Sequence, residues 1–390
     1  MFQRYDPQSN FAVTNLTNEL KMRPLIPPVI DQKLKERKEK NSLRELNNLD
    51  HLIDFSSNDY LGLSRNPDLI SSIQATRNSD EKIGGTGSRL ISGNHVGYGL
   101  VEEYLSKIFY SEAVLLFNSG YAANQGVISC IPQRGDTILY DQLSHVCIKE
   151  GAWLSKAQSI SFKHNELQDL ESKLSRSVGN CYVVTETVFS MDGDIAPLEE
   201  ICSLCEKYQA WLIVDEAHST GVYGQQGAGY LVAKGLSDRV LARIYTFGKA
   251  IGMHGAAVAG SQSVIDYLIN FSRPFIYTTS LPFHTVSGIK NAFEYLGSHA
   301  YLQRDLQRKI EIFRNEFKRS VSNTAIQPIL IKGNEKARRA AEKLQNEGFD
   351  VRAILSPTVK EGEERLRISL HVHNSAVEIK QLASLIHSVI

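Results

Sequence analysis

The stretch Tyr245-Thr246-Phe247-Gly248-Lys249 decides the fold of this chain, together with the upstream stretch Trp211-Leu212-Ile213-Val214-Asp215-Glu216-Ala217-His218. Each begins as a short apolar run and ends in polar residues, which is typical of a buried strand that leads into a loop. Behind Lys249, the segment from Gly252 to Gly260 is small and nearly uncharged. The two stretches therefore predict strands of a buried sheet, with Asp215, His218 and Lys249 at the strand ends.

These strand ends carry the residue types that a pyridoxal phosphate (PLP) site needs. An acid at the end of one strand can keep the pyridine nitrogen protonated, and a lysine behind a threonine and a glycine can carry the aldehyde as a Schiff base. The residues therefore predict a PLP enzyme, with Asp215 and Lys249 in catalytic roles.

The length and composition allow a large buried core and more than one domain. The chain has 390 residues, of which 42% are hydrophobic and 22% charged. Basic and acidic residues number 43 each, so the net charge gives no electrostatic footprint for nucleic acid or an anionic membrane. No stretch approaches the roughly 18 to 20 uncharged apolar residues of a membrane span, and the N-terminus lacks an apolar signal-peptide core. We expect a cytoplasmic enzyme of small molecules that binds neither nucleic acid nor membrane.

The five cysteines favour reduced thiols, because their number is odd and a cytosolic enzyme keeps its thiols reduced. Cys202 and Cys205 form a C-x-x-C, which is compatible with a zinc or redox site. They lie in a helical pattern without a second pair, so we favour small buried residues and expect no metal site.

The order of predicted elements indicates an α/β fold followed by a separate C-terminal part. Buried apolar runs alternate with helical patterns, which implies a mostly parallel sheet covered on both faces. The predicted strands are 113–117, 137–140, 158–162, 181–185, 211–215, 242–246 and 256–260, and helices are predicted at 97–109, 120–130, 165–174 and 197–208. From about Phe283 we expect a long helix (284–320), a strand near 326–331, a helix near 334–347, strands near 349–355 and 365–371, and a final helix from Ser375.

We divide the chain into three parts on this basis. Residues 1–52 form an N-terminal arm and a helix; the arm extends to about residue 30, and the amphipathic helix spans Ile30 to Leu46. Met22 is an alternative start. Residues 53–283 form a large PLP-binding domain, and residues 284–390 form a smaller α+β domain.

Five loops that follow predicted strands carry residues suited to ligand binding. Ligands of open parallel sheets bind at the carboxyl ends of strands, and a helix N-terminus reached over a glycine can cradle a phosphate. Each loop alone is also compatible with an ordinary structural role, such as a hydrogen-bonded histidine, a polar turn, a helix-capping aspartate or a surface lysine. Their occurrence together favours the functional interpretation. The loops are 118–124, 140–145, 186–194, 215–218 and 246–249.

Eight stretches of the sequence resemble the α-oxoamine synthases, which are fold-type I PLP-dependent transferases that condense an amino acid with an acyl-CoA and release carbon dioxide. They cover nearly everything from about residue 30 onward. The stretches are Ser56 to Leu63, Gly84 to Arg89, Ser119 to Asn124, Thr185 to Asp194, Val214 to His218, Thr246 to Lys249, Tyr277 to Pro282 and Arg365 to Ser369.

The resemblance implies a role for each candidate residue. Lys249 holds the cofactor and moves protons at the substrate α-carbon, Asp215 pairs with the pyridinium, and His145 stacks on the ring and faces the substrate. The other implied cofactor-binding residues are Ser119, Gly120, Tyr121 and Thr246 for the phosphate or ring, His218 and Ser190 for the phenolic oxygen, and Thr279, beside Thr278, for the cofactor of a neighbouring subunit in a homodimer with shared active sites. The implied substrate-binding residues are Arg367 for the amino-acid carboxylate, and Arg44, Asn58 and Thr358 on the acyl-CoA side.

The substrates are implied by two loops. Residues 55–62 and 120–125 most resemble the members that use L-alanine and a pimeloyl thioester, carried by CoA or by acyl-carrier protein, in biotin synthesis. Members that use glycine or serine with another acyl-CoA, a plain aminotransferase and a catalytically silent partner subunit remain alternatives. One departure concerns the acyl chain, because Leu355-Ser356-Pro357-Thr358 stands where the family commonly has Arg-Pro-Pro-Thr.

Overall fold

The computed structural model describes residues 26–75 and 82–390. They belong to two units: an N-terminal unit that ends at Leu46, and a second unit of residues 47–390. Most of the predicted N-terminal arm, including the alternative start at Met22, lies outside the described residues.

The helix of the N-terminal unit, α1, spans Pro28–Glu39 and is shorter than the predicted helix that runs to Leu46. Proline at the first position of a helix has a favourable φ and no N–H to leave unpaired. The helix ends because Asn41 adopts a positive φ of 48°, a conformation that asparagine tolerates better than most residues. The Ser42 N–H then donates to the Arg37 carbonyl at 2.8 Å, which closes the helix end.

A seven-stranded sheet forms the centre of the second unit, in the order β2-β8-β7-β6-β5-β3-β4. Strand β8 is antiparallel to both neighbours, whereas the pairs from β7 to β4 are parallel. The mostly parallel α/β sheet predicted from the sequence is therefore confirmed. The strands of the chain are β1 Ile53–Asp54, β2 Ala113–Phe117, β3 Thr137–Asp141, β4 Gln158–Phe162, β5 Cys181–Glu186, β6 Trp211–Asp215, β7 Ala242–Thr246, β8 Ala256–Gly260, β9 Ile326–Leu330, β10 Phe349–Asp350, β11 Arg352–Ile354 and β12 Arg365–Ser369.

Helices cover both faces of this sheet. Alternate residues of a strand point to opposite faces, and in β6 Ile213 packs into one apolar cluster, whereas Leu212 and Val214 pack into another. Both faces are therefore buried, which explains the continuous apolar runs of the strands. The helices after α1 are α2 Pro67–Ala75, α3 Val96–Ile108, α4 Gly120–Cys130, α5 Val146–Leu154, α6 Leu167–Leu174, α7 Leu198–Lys207, α8 Tyr230–Ala233, α9 Gln262–Phe271, α10 Arg273–Ile276, α11 Phe283–Ser298, α12 Tyr301–Glu316, α13 Asn334–Asn346 and α14 Ala376–Val389.

The predicted long helix 284–320 is wrong, because α11 ends at Ser298 and α12 begins at Tyr301. Glycine, serine and histidine at positions 297–299 are weak helix formers. The Ser298 hydroxyl donates to the Tyr295 carbonyl at 2.9 Å, and a bond of this kind competes with the helical ladder. His299 then leaves helical geometry, with φ −124° and ψ 43°.

A smaller sheet of order β11-β12-β9 follows in the C-terminal part, and α13 and α14 accompany it. The predicted strand 349–355 is split into β10 and β11. Strand β10 pairs in parallel with β1, so residues at 53–54 are tied to the C-terminal part. Ser375 begins α14 with a capping box that includes Glu378. The boundary between residues 283 and 284 stays a prediction.

Two further findings concern the cysteines and the membrane. All five cysteines are unpaired, and Cys202 and Cys205 are buried in the apolar cluster beneath α7, which agrees with a packing role. Among the described residues, no helix is both long enough and apolar enough to cross a membrane.

Candidate active site

The carboxyl ends of the parallel strands bring the predicted residues to one edge of the central sheet. Strands β5 and β6 pair with Glu186 opposite Asp215, and β6 pairs with β7 so that Asp215 lies opposite Ile244. The loops that follow β3, β5, β6 and β7 therefore start side by side.

A buried hydrogen-bonded chain runs from Lys249 into the N-terminal loop of the second unit. Lys249 Nζ lies 2.8 Å from His218 Nε2, and His218 Nδ1 lies 2.7 Å from the Tyr60 hydroxyl. Burial lowers the pKa of Lys249, although the negative charges of Asp215 and Glu186 oppose the shift. Burial, followed by the charge of Lys249, holds the pKa of His218 well below its usual value. Burial therefore shifts the protonation equilibrium of both bases toward the neutral form.

Asp215 is buried at the end of β6, and its carboxylate is fixed from two sides. Asn124 on α4 donates its amide N–H to Asp215 Oδ2 at 2.7 Å, and the Ala217 backbone N–H donates to Oδ1 at 2.8 Å. Neither donor carries a positive charge, so the carboxylate keeps its capacity to pair with a cation such as a pyridinium.

The start of α4 lies against the end of β7. Ser119 caps this helix by accepting the Ala122 N–H at 3.2 Å. A Cβ added at Gly120 would lie well under 3.0 Å from Thr246 Oγ1, so only glycine allows this approach. The exposed Tyr121 donates its hydroxyl to Glu150, which raises the pKa of Tyr121 to about 12.

Arg367 is buried on β12, and its hydrogen-bond acceptors within residues 26–75 and 82–390 are all neutral. Nη2 donates to Asn58 Oδ1 at 2.9 Å, Nη1 to Ser369 Oγ at 2.9 Å and Nε to the Ser190 carbonyl at 2.6 Å. The Tyr60 hydroxyl also contacts Asn58 Oδ1, at 3.1 Å. Arg367 is therefore joined to the Lys249 chain through Tyr60, and Ser190 enters the network through its backbone.

His145 caps α5 after β3, and its backbone N–H donates to the buried Glu186 carboxyl. Burial lowers the pKa of His145 and raises the pKa of Glu186; the charge of Asp215 acts on both residues, opposing the shift of His145 and adding to that of Glu186. The imidazole, Glu186 and Asp215 are therefore close enough to influence one another.

Three further predicted residues lie in other parts of the chain. Thr279 uses its backbone carbonyl to accept the Asn118 side-chain N–H at 2.6 Å. Thr358 is exposed in the turn after β11, where its N–H donates to the Leu355 carbonyl at 2.8 Å. Arg44 belongs to the N-terminal unit. Their roles stay predictions.

The sequence analysis assigned no role to Tyr60, Asn124 or Glu186. Tyr60 and Asn124 stand inside the quoted family stretches, but their partners His218 and Asp215 are 158 and 91 positions away. Glu186 is the first residue of the predicted loop 186–194, directly after a predicted strand, and that position was the available signal for it.

Asp54, His371 and His373 bring potential metal ligands within 4.8 Å of one another. Two of the three are already engaged. The Arg65 guanidinium donates to Asp54 Oδ2 at 2.8 Å, and His371 Nε2 lies 3.0 Å from the Ser57 carbonyl oxygen, toward which it must donate. The group is therefore a hydrogen-bonded cluster that already contains the Arg65 guanidinium. Because that group is positively charged and His371 Nε2 is a donor, the cluster does not favour a metal ion.

The residues at the sheet edge fit PLP. The Gly120–Thr246 approach and the start of α4 form a cradle for an anion, Asp215 is an acid held by neutral donors, and Lys249 is a half-buried amine. The acid and the amine are coupled through their charges.

The comparison with known proteins gives the family. The model for the class I and II aminotransferases matches residues 50–386. This chain belongs to the α-oxoamine synthases, within the class I and II aminotransferase family. The 8-amino-7-oxononanoate synthase of Salmonella paratyphi B is 41% identical and that of Marinobacter nauticus 38% identical, over 86% and 85% of this chain and 88% and 85% of theirs.

Solved structures share the fold over most of both chains. Serine palmitoyltransferase from S. paucimobilis, with bound PLP and myriocin, superposes with a TM-score of 0.85 at 25% identity, over 93% of this chain and 97% of that one. The 8-amino-7-oxononanoate synthase of Francisella tularensis superposes with a TM-score of 0.74 at 29% identity, over 87% and 98%. The predicted fold-type I architecture is therefore confirmed.

Proposed function

We propose that this chain is a PLP-dependent 8-amino-7-oxononanoate synthase of biotin synthesis. It condenses L-alanine with pimeloyl-CoA, or with the pimeloyl thioester of acyl-carrier protein, and releases 8-amino-7-oxononanoate, carbon dioxide and the free thiol. The similarity in sequence to synthases of that name supports the choice of reaction.

The observation that carries the amino-acid half of the proposal is the buried cation of Arg367. Among the described residues, its hydrogen-bond acceptors are neutral oxygens of Asn58, Tyr60, Ser190 and Ser369. A buried guanidinium without a carboxylate partner is costly, and a planar fork of N–H groups matches a carboxylate. We infer that the carboxylate of alanine completes this site.

The residues around Lys249 handle the proton of the amino acid. PLP, when bound, supplies an aldehyde for the amino group and a ring that withdraws electrons from the α-carbon. Lys249 holds the cofactor between turnovers and takes and returns the α-proton, a task helped by the burial that lowers its pKa. Asp215, fixed by Asn124, keeps the pyridine nitrogen protonated. His218, fixed by Tyr60, orients Lys249, and with Ser190 it would hydrogen-bond the phenolic oxygen of the bound cofactor.

His145, Asn58, Thr358 and Arg44 are the proposed contacts of the acyl-donor half. Their chemistry suits the task, since an imidazole can donate to a thioester carbonyl and Arg44 can pair with a carboxylate or a phosphate. With Leu355 at a position where the family often has arginine, the acyl chain is expected to rely on Arg44 and on apolar packing.

We propose that the enzyme works as a cytoplasmic homodimer with shared active sites. Several large apolar side chains exposed between residues 83 and 100 support a second copy as partner, because burying them between subunits would remove apolar area from water. These side chains include Ile83, Leu90, Ile91, Val96 and Leu100. Thr279, exposed after α10, would contact the partner's cofactor. Five unpaired cysteines agree with a reducing compartment.

The deciding experiment is a thiol-release assay of the purified enzyme loaded with PLP, across alanine, glycine and serine paired with pimeloyl-, acetyl-, succinyl- and palmitoyl-CoA. We expect the fastest release from alanine with pimeloyl-CoA and none from Lys249→Ala. Faster release from serine with palmitoyl-CoA would replace the proposal with the second candidate, which the similarity to serine palmitoyltransferase favours. Transfer of the amino group to an oxo acid without thiol release would indicate an aminotransferase.

A further inference from the structure

The ring of His145 is held by a residue that the family reaction does not explain. His145 Nδ1 lies 3.3 Å from the backbone N–H of Cys147 and 2.9 Å from Cys147 Sγ. A backbone N–H can only donate, so Nδ1 is the acceptor of this bond and carries no proton itself. The remaining proton of a neutral imidazole is then on Nε2.

The Cys147 side chain is placed to reinforce this arrangement. It is buried, with 3% of its surface exposed, in the apolar cluster between α4, α5 and the sheet. Burial and the negative charges of Asp215 and Glu186 raise the pKa of its thiol, so the sulfur keeps its hydrogen. A protonated thiol beside an unprotonated ring nitrogen is a hydrogen-bond donor to that nitrogen.

We propose that Cys147 is a positioning residue that fixes the tautomer of His145. The thiol and the backbone N–H together hold Nδ1 as an acceptor, and Nε2–H is left as a donor on the side of the ring away from α5. His145 therefore acts toward the substrate as a neutral hydrogen-bond donor, and it does not serve as the general base of the reaction.

The charges around His145 are consistent with this state. His145 as a whole is exposed, but partial burial of its ring disfavours the protonated form, and the cations Lys249 and Lys149 disfavour it further, whereas Asp215 and Glu150 favour it. A proton added at Nδ1 would also point at the Cys147 backbone N–H, so the charged form would lose that bond. The contacts of Nδ1 and the direction of the pKa shift therefore favour the same protonation state.

The test compares the holoenzyme with Cys147→Ala, Cys147→Val and Cys147→Ser by nitrogen-15 spectroscopy of labelled histidine, with His145 assigned from the spectrum of a His145→Asn variant. In the wild type we expect an unprotonated Nδ1 and a protonated Nε2. In the Ala and Val variants the two signals should move toward each other as the second tautomer becomes populated, and serine should restore them. Cys202→Ala removes a buried thiol from a different apolar cluster, so it should leave both signals unchanged.

The kinetic arm rests on the proposed function. Losing one weak donor should lower kcat about 2- to 5-fold with little change in KM for the amino acid, and Cys147→Ser should return it. A protonated Nδ1 in the wild type would overturn the proposal, as would Ala and Val variants whose signals and kcat match the wild type. Equal loss of kcat in all three variants with unchanged nitrogen-15 signals would reduce Cys147 to a packing role. If the thiol-release assay fails, the spectroscopic arm still decides the tautomer.

Discussion

Replacing Gly120 with alanine should weaken PLP binding through a single steric contact. The new Cβ would overlap Thr246 Oγ1, whereas the Cβ and Cγ2 atoms of Thr246 would lie at ordinary separations of 3.4 and 3.5 Å. Thr246 ends a buried strand and cannot move away freely, so the start of α4 must shift. Overpacking of this kind costs about 1 to 3 kcal/mol, which corresponds to a dissociation constant about 5- to 150-fold higher.

The assay is a titration of the apoenzyme with PLP, followed by absorbance or fluorescence, together with the melting temperature of each variant. Ser172→Ala is the control, because Ser172 is exposed in α6, outside the proposed dimer surface, and alanine suits the interior of a helix. We expect this control to bind PLP as the wild type does and to melt no lower.

A second variant separates the clash from a general loss of structure. In Gly120→Ala with Thr246→Ala, the hydroxyl is gone and the nearest Thr246 atom that remains is a Cβ at 3.4 Å. Gly120→Ala should then weaken PLP binding far less in the Thr246→Ala background than in the wild type. A double-mutant cycle on the binding free energies measures this coupling. Equal costs in both backgrounds, or wild-type affinity of Gly120→Ala alone, would refute the reasoning.

Four further outcomes are expected. Lys249→Ala should abolish the borohydride-reducible PLP adduct; mass spectrometry that finds the adduct on another lysine would contradict the assignment. Asp215→Asn should retain PLP but lower kcat by about 100-fold or more, because a neutral amide cannot stabilise a pyridinium; near-normal turnover would mean that Asp215 is only structural. Although burial disfavours the charged ring, hydrogen bonds to two aspartates raise the pKa of His164 to about 10; its stabilising effect is therefore complete below about pH 6.5 and lost as the pH rises through 10. In urea unfolding, the free energy of unfolding of His164→Gln should fall least below that of the wild type at the highest pH. A difference that stays constant with pH would argue against a charged His164. Arg44→Ala should raise KM for pimeloyl-CoA far more than for acetyl-CoA, and equal effects would place Arg44 at the CoA moiety or outside the site.

The central sheet could be predicted because the sequence of its strands is compatible with few other secondary structures. Strands such as Ala113–Phe117 and Ala256–Gly260 are buried along nearly their whole length, and a short run of apolar residues between helical patterns is typical of a strand buried on both faces. The break between α11 and α12 could not be read in the same way. It depends on a side-chain bond from Ser298 and on a change of backbone conformation at His299, neither of which leaves an apolar pattern.

The candidate site could likewise be predicted only in part. Lys249, Asp215 and His218 were predicted because ligands of a parallel sheet bind at its strand ends. Their hydrogen-bond partners could not be predicted, because Tyr60 is 158 positions away from His218 and Asn124 is 91 positions away from Asp215. Such partners are fixed by tertiary packing, which local sequence patterns do not describe.

Two residues proposed for substrate choice, Arg44 and Thr358, lie outside the central sheet. The proposed cofactor residues follow strands whose positions are set by the hydrogen-bond register, and a serine palmitoyltransferase and an 8-amino-7-oxononanoate synthase, which are named for different reactions, share this backbone. Thr358 lies instead in an exposed turn after β11, and Arg44 belongs to the N-terminal unit. Loops and chain ends change with little effect on the core, so the same cofactor chemistry can be combined with different acyl donors. The backbone fold therefore identifies the cofactor site, whereas it leaves the choice of acyl thioester open. That choice has to be measured, with variants in the loops that carry the proposed acyl-donor residues.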